Sequence, residues 1–323
     1  MFEDRRTFDS LPSLTAALAW GAMFPIAASA LAHVDPFHLT AVRYLVASAV
    51  FLALLAAVEG RRALRPSGRA LELFVLGTLG FAGFNLLTYA ALEHTRPQDA
   101  SLIVATSPLL TALALWLTTR RTPSRGTLAA MAVALLGVVL VITRGDPSAL
   151  LHGAGRAGDL LVLAGVASFV AYTLGARRFP DHSPLRYTAL SATGGTLTIL
   201  AVTALLTATG AEPMPSAGDF GAVWPQTIYI IGAGAVIAVL AWNEGVRRIG
   251  AANGALFMNL VPVVTFAIET ARGYRPGALE LVGALLTIAA LVYANLAGRQ
   301  AILRPSRLAW AATRAANPAK SRP

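Results

Sequence analysis

Nine stretches of this chain contain no Asp, Glu, Lys or Arg: 10–34, 73–92, 100–119, 126–143, 160–176, 187–211, 220–243, 249–268 and 281–298. A tenth apolar stretch, 37–58, is interrupted by Arg43 alone. Each is about 17–25 residues long, the length a helix needs to cross roughly 30 Å of hydrocarbon. None shows the two-residue alternation of an outer-membrane barrel strand. The pattern predicts an all-α integral membrane protein of ten transmembrane helices joined by short loops. A soluble helical protein is the alternative, but apolar runs of this length rarely recur in soluble folds.

Composition agrees. Of 323 residues, 56% are hydrophobic and 13% are charged, and the mean hydropathy is +0.63. A soluble domain carries about 25% charged residues. Disorder is excluded, because it needs low hydrophobicity and high charge. The chain has no cysteine, which excludes disulfides and thiolate metal or redox sites. Its net charge of +10 would suit a nucleic-acid binder, but the basic residues follow the loops. With the N-terminus placed in the cytoplasm, 20 of the 26 basic residues fall on inside segments, 5 on outside loops, and Arg43 in a span. That bias puts both termini in the cytoplasm. It explains the charge without nucleic acid, and anionic lipid is the expected neighbour.

Two local spellings mislead. Arg5-Arg6-Thr7-Phe8 with Ala28-Ser29-Ala30 resembles an export signal. The apolar stretch between them exceeds a signal core, and nine more follow, so it reads as the first membrane helix. Gly153-Ala154-Gly155-Arg156-Ala157-Gly158 spells a dinucleotide fingerprint. It lies between two membrane spans, not between a strand and a helix, and reads as a connector.

The chain also repeats itself. A shift of 154 pairs Pro108 with Pro262, Thr111 with Thr265, and Ala91-Leu92 with Gly245-Val246. A shift of 148 pairs Pro36 with Pro184. Two halves of five helices each follow. Five is odd, so the halves enter the membrane in opposite directions, an arrangement common in secondary transporters with a site near the midplane.

Trp242-Asn243, Val246-Arg247-Arg248-Ile249-Gly250-Ala251-Ala252 and Leu256-Phe257-Met258-Asn259-Leu260-Val261-Pro262-Val263 resemble the helix 8 to helix 9 signature of the EamA family, in the drug/metabolite transporter superfamily. Trp20-Gly21, Arg43, Tyr89-Ala90-Ala91-Leu92, Ser107-Pro108 and Gly137-Val138 are similar to its first-half pattern. The resemblance covers about residues 11 to 298. It implies a ten-helix inner-membrane carrier with a central cavity, in a family where many members export amino acids and other small metabolites. The implied organisation is a cytoplasmic N-terminus (1–10), a first EamA-like repeat (11–143), a connecting loop (144–158), a second repeat (159–298) and a basic cytoplasmic tail (299–323). One departure is clear. The family often has a glutamate where helix 4 or helix 9 ends, and here those places read Thr118-Thr119-Arg120-Arg121 and Arg272-Gly273-Tyr274-Arg275.

Proline inside a helix removes a backbone hydrogen bond. Pro108 should free the Val104 carbonyl and Pro262 that of Met258, both close to mid-membrane. Each carbonyl then faces a substrate, or a neighbouring side chain from Thr106, Ser107 or Asn259. Asn259, Pro262, Phe266, Glu269 and Thr270 share one helix face. Asn259 lies about 12 Å along the helix from Ala251, and reads as a substrate hydrogen-bonding group or an interhelical tie. Glu269 pairs with Arg272 or Arg275, or binds protons or a cationic solute. Glu244 pairs with Arg247 and Arg248, or gates the cytoplasmic side. Arg43 snorkels outward, holds neighbouring carbonyls, binds substrate, or acts in gating or coupling. On helices that line the cavity in the resembled family, Trp20, Phe24, Tyr89, Tyr172 and Trp242 could stack on a solute. Tyr89 and Trp242 could instead be interface-belt residues. Asn85 and Asn243 join the substrate-binding set. Gly77, Gly80, Gly83, Gly232 and Gly234 read as close-packing positions.

The expected function is therefore secondary transport of small polar or amphipathic metabolites, such as amino acids, by alternating access, with export favoured. The alternatives are a membrane-embedded enzyme acting on lipid-linked substrates, or a passive channel or scaffold. An enzyme would need an acid/base or metal cluster. No two of His, Asp and Glu recur on one helix face, and no histidine makes a ligand spacing. No cofactor, metal or ATP-binding loop is expected. The expected partners are a small metabolite and membrane lipid, and a second copy of the chain could make a homodimer.

Overall fold

In a computed structural model, residues 3–120, 125–143, 155–290 and 292–293 are described. Among them every regular element is helical. Ten rods follow in order: α1 (Glu3–Ala30), α2 (Pro36–Val58), α3 (Ala70–Ala91), α4 (Pro97–Val104, then Ser107–Thr119), α5 (Arg125–Thr143), α6 (Gly155–Gly175), α7 (Pro184–Ala208), α8 (Trp224–Ile249), α9 (Ala251–Gly254, Ala255–Asn259 and Leu260–Ala271) and α10 (Ala278–Ala290). Seven rods, α1 to α4 and α6 to α8, are long and apolar enough to cross a membrane. The other three contain shorter apolar helices, Ala132–Val141, Phe257–Ala271 and Ala278–Ala290. The expected span 126–143 is one 19-residue helix, Arg125–Thr143, whereas the expected span 249–268 is divided among three helical pieces. In α9 a tight 3₁₀ stretch, Ala255–Asn259, lies ahead of Pro262. The expected span 281–298 runs past the described residues, as do the basic tail and most of the 144–158 connector.

The start signals are local and occur twice. Asp35 Oδ1 accepts from the backbone N–H of Phe37 (3.0 Å) and His38 (2.9 Å), with Pro36 opening α2. Ser183 Oγ accepts from Arg186 N–H (2.9 Å), with Pro184 opening α7. A capping side chain followed by proline at the first helical position is a strong helix start. The irregularities recur as well. α4 breaks between Val104 and Ser107, and α9 breaks at Asn259–Leu260, each just ahead of its paired proline. α3 carries a wide π turn at Thr78–Gly83, and α8 carries one at Ile230–Ile237.

The two halves interlock instead of forming separate bundles. α1 packs on α8 and α9, α2 on α7, α3 on α6 and α7, and α4 on α6 and α9. Equivalent positions of the halves meet between α2 and α7, and the last helices of the two halves also touch. Ser48 Oγ and Thr196 Oγ1, separated by the repeat shift of 148, lie 2.6 Å apart. Gly137 of α5 and Gly283 of α10 press backbone on backbone: a Cβ on Gly283 would fall 2.7 Å from the Gly137 carbonyl oxygen. The outer surface carries Leu45, Leu54, Leu71, Leu117, Leu160, Leu197, Leu205 and Leu285, all exposed. Water would make that surface an association hazard, whereas lipid chains match it. The polar groups Arg43, Asn85, Asn243 and Asn259 are buried instead.

Candidate functional site

At the level of the two helix breaks lies a small enclosed void of about 20 Å³, room for roughly one water. Trp20, Met23 and Phe24 of α1, Phe84 of α3, Val104 and Ser107 of α4, Phe169 of α6 and Met258 of α9 line it. Both halves therefore contribute, and both breaks reach it through Ser107 and Met258. Trp20, Phe169 and Trp242 form one aromatic cluster, with ring centroids 5.6–5.7 Å apart. Phe169 also contacts Tyr172 (5.9 Å) and Phe84 (5.2 Å). Among the expected site residues, Trp20 and Phe24 line the void, while Trp242 and Tyr172 form the layer behind it.

The two breaks differ in how they satisfy their backbone. In α4, Ser107 Oγ donates to the Val104 carbonyl and Thr106 Oγ1 to that of Ile103. The carbonyl freed by Pro108 is thus filled locally. In α9, Asn259 is buried, and neither atom of its amide has a hydrogen-bond partner. A buried amide without partners costs about 1–3 kcal/mol. Asn259 directly follows Met258, which lines the void.

Arg43 lies inside the bundle and does not snorkel: it is 1% exposed. Its Nη1 donates to Asn85 Oδ1 (2.7 Å) and Tyr89 Oη (3.0 Å), and its Nη2 to the Gly234 carbonyl (3.0 Å). The Asn85 amide in turn donates to Tyr44 Oη and the Phe81 carbonyl, both at 2.9 Å. Trp20 Nε1 donates to the same Gly234 carbonyl (2.9 Å). Gly234 and its repeat partner Gly80 both sit in π turns, which are frequent at functional sites. A Cβ on Gly234 would lie 2.7 Å from Met23 Sδ, and one on Gly80 would lie 2.4 Å from the Tyr172 ring. Gly77, Gly80, Gly83 and Gly234 are close-packed as expected, but at Gly232 nothing lies within 4 Å of an added Cβ. The wide turn carries that residue off the packed face. Tyr89 and Trp242 are buried, not interface-belt residues.

Beyond the aromatic layer, toward the arginine-rich end, a cleft of about 250 Å³ opens between α6, α7, α8 and the start of α9. Thr173, Arg177, His182, Tyr187, Asn243 and Arg247 are among its walls. Asn243 Nδ2 donates to Tyr172 Oη (2.8 Å) and Thr188 Oγ1 (2.7 Å). Burial pushes the pKa of His182 below its ordinary value, and Arg186 and Arg69 push the same way. Glu244 accepts from Arg247 (2.8 and 2.9 Å) and Arg248 (2.6 Å) on its own helix.

The far end is held by side chains that the sequence reading did not single out. Arg96 grips Asp99 with Nε (2.8 Å) and Nη2 (2.9 Å), and its Nη1 donates to Glu280 Oε1 and Tyr274 Oη, both at 2.8 Å. Tyr274 Oη donates to Glu280 (2.7 Å), and Gly277 N–H donates to Glu280 Oε2 (2.8 Å). Burial opposes the charge on Arg96, but Asp99 and Glu280 outweigh it and raise its pKa. Nearby, Glu269 lies 3.4 Å from Arg272, which also donates to the Pro25 carbonyl (2.9 Å). Arg96 and Asp99, three apart at a proline-started helix, were a readable local pair. No local pattern announces Tyr274 or Glu280.

Comparison with known proteins places this arrangement. Residues 11–143 and 156–296 each match the EamA-like transporter family. A Bacillus subtilis (strain 168) protein named "Uncharacterized transporter YrdR" is 33% identical over 295 residues, which cover 90% of this chain and 92% of that one. A Streptantibioticus cattleyicolor protein named "Probable terminal-alkyne amino-acid exporter" is 27% identical over 283 residues, 86% of this chain and 90% of that one. A solved crystal structure at 23% identity superposes with a TM-score of 0.68 over 91% of this chain and 98% of its own, a likeness of fold.

Proposed function

This chain belongs to the EamA-like transporter family, and from that premise we propose that it is a secondary carrier of small polar or amphipathic metabolites, amino acids or related compounds, across the bacterial inner membrane. In this reading ten crossings form two inverted five-helix repeats, 11–143 and 159–298, joined by 144–158. Both termini are cytoplasmic, and export is the working direction.

One observation carries the reading. Two repeat-related helix breaks meet at one void between the halves, with an ionic cluster closing one end and a cleft opening at the other. Discontinuous helices at a repeat interface suit a midplane site that rocking of the halves exposes alternately. Asn259, with its unpartnered amide, is the solute's hydrogen-bonding group. Trp20, Phe24 and Trp242 form the apolar wall. Asn243, held from behind by Tyr172, floors the cleft, and Glu244, Glu269 and Arg43 are the gating or coupling candidates. The relative named as an amino-acid exporter supports that solute class.

Counterflow into proteoliposomes tests this with a panel of amino acids, sugars and nucleosides. At least one solute should exchange. Asn259→Ala and Trp242→Ala should each slow its entry about tenfold, the effect of losing one substrate hydrogen bond or ring contact. No exchange of any solute removes the carrier reading, and unchanged rates in both variants remove the site. A reporter fused after Pro323 should be active only in the cytoplasm.

A further inference from the structure

We propose that Arg43 receives a carboxylate on the transported solute, on the edge formed by its Nε and Nη2. This rests on the carrier reading and adds the chemistry that selects the cargo.

A guanidinium keeps its charge inside a protein. The acceptors around Arg43 are all neutral: Asn85 Oδ1, Tyr89 Oη and the Gly234 carbonyl. The faces of Tyr44 (4.8 Å) and Tyr89 (5.7 Å) add some compensation. No carboxylate among the described residues pairs with Arg43, although Arg69, Arg96, Arg178, Arg247, Arg248 and Arg272 each have one. A buried cation without a counter-charge is costly, and the only one that can come and go is the solute's.

The edge has the right geometry. Both Nη1 acceptors are side chains from α3, so that nitrogen is committed. Among the described residues Nε has no acceptor, and Nη2 meets a single backbone carbonyl. The N–H groups of Nε and Nη2 run parallel and match the two oxygens of a carboxylate. This chain uses that edge elsewhere: Arg96 grips Asp99 at 2.8 and 2.9 Å, and Arg247 grips Glu244 at 2.9 and 2.8 Å. The Gly234 carbonyl does not depend on Arg43, because Trp20 Nε1 also donates to it. A carboxylate can therefore take Nη2 without leaving a buried oxygen unpaired.

Gly234 stands between the edge and the lining of the void. The Cβ position of Gly234 lies 2.7 Å from Met23 Sδ and 3.8 Å from Arg43 Nη2, so the flexible side chain of void-lining Met23 and the guanidinium approach the same glycine. One fork and one positive charge suit a single carboxylate better than a phosphate dianion. Taking the carboxylate would release the Arg43 tie from α2 to α8, and so would couple cargo binding to movement of one half against the other.

The test uses the full-length protein in proteoliposomes. Counterflow is measured for leucine, phenylalanine and 4-methylpentanoate against leucinamide, phenylalaninamide and 4-methylpentanamide. Intrinsic tryptophan fluorescence, to which Trp20 and Trp242 contribute with the other three tryptophans, is titrated with the same six compounds. The acids should exchange and bind at least about tenfold better than the amides, as expected for a buried charge pair. Arg43→Gln should erase that ratio, and Arg43→Lys, which keeps the charge without the fork, should retain part of it. Amides handled as well as acids by the wild type overturn the proposal, and so does an Arg43→Gln protein that still discriminates. If Arg43→Gln does not fold, the wild-type ratio and Arg43→Lys decide. Exchange of sugars or nucleosides without any acid removes this proposal and leaves the carrier reading standing, whereas no exchange at all removes both.

Discussion

The two ends of the bundle hold arginine–carboxylate contacts of opposite kinds. At the arginine-rich end, Glu244 bonds Arg247 and Arg248 within one turn of α8, and the pairs that cross between elements, Arg178–Glu72 (3.7 Å) and Arg248–Asp9 (4.0 Å), are long and exposed. At the far end Arg96 joins α4 to Glu280 of α10, and the carboxylates of Asp99 and Glu280 are 9% and 5% exposed. A pair within one helix is untouched when helices move apart. A cluster across helices must break before that end can open. The number of salt bridges at each end therefore says little, and what differs between the ends is the length and burial of the pairs that cross between helices.

Glu280→Ala should have the largest effect. It removes the acceptor shared by Arg96, Tyr274 and the Gly277 N–H. Breaking a buried pair by deleting one partner costs about 3–5 kcal/mol. The native chain has no cysteine, so a single Ser107→Cys reports on the void without background. In the Glu280→Ala background a membrane-impermeant maleimide added from the far side should label it faster. Labelling at the unaltered rate would mean that this cluster does not hold the far end closed. Tyr274→Phe keeps the ring and deletes one hydroxyl, so its effect should be in the same direction and about 1–2 kcal/mol. An effect as large as that of Glu280→Ala would place the closure in Tyr274 instead. Glu244→Gln should cost no more than about 1 kcal/mol in the unfolding free energy and leave far-side labelling unchanged, as a half-exposed pair within one helix does. A change in far-side labelling would join the two ends that the geometry separates.

The same contrast governs what could be read from the sequence. The helices, their proline-marked starts and the two breaks were legible because their causes lie within a few residues: apolar runs, Asp35-Pro36, Ser183-Pro184, Pro108 and Pro262. The place of Arg43 was not. A lone arginine about seven residues into a span can snorkel or stay inside, and only the packing of Asn85, Tyr89 and Gly234 around it decides. The far-end cluster was invisible because Arg96 and Glu280 stand 184 positions apart. The local filling of the α4 break by Ser107 was weighed evenly against a substrate role, since sequence gives proximity but not direction.

The smallest expected effect belongs to His182, in the cleft at the arginine-rich end, and its sign can be worked out. Burial first, then Arg186 and Arg69, holds its pKa below the ordinary 6.5. The folded chain therefore favours the neutral ring. In the unfolded chain the ring takes up a proton near 6.5. The favourable contribution is present above that pH and is lost as pH falls from there through the lower folded value. His182→Gln has nothing to titrate. The gap in unfolding midpoint between wild type and variant should be constant from pH 8 to 7 and then shift in favour of the variant between pH 6.5 and 5. A gap that ignores pH would mean that the arginines around the cleft leave His182 as solvated as in the unfolded chain, and the cleft would then be wetter and less positive than its walls imply.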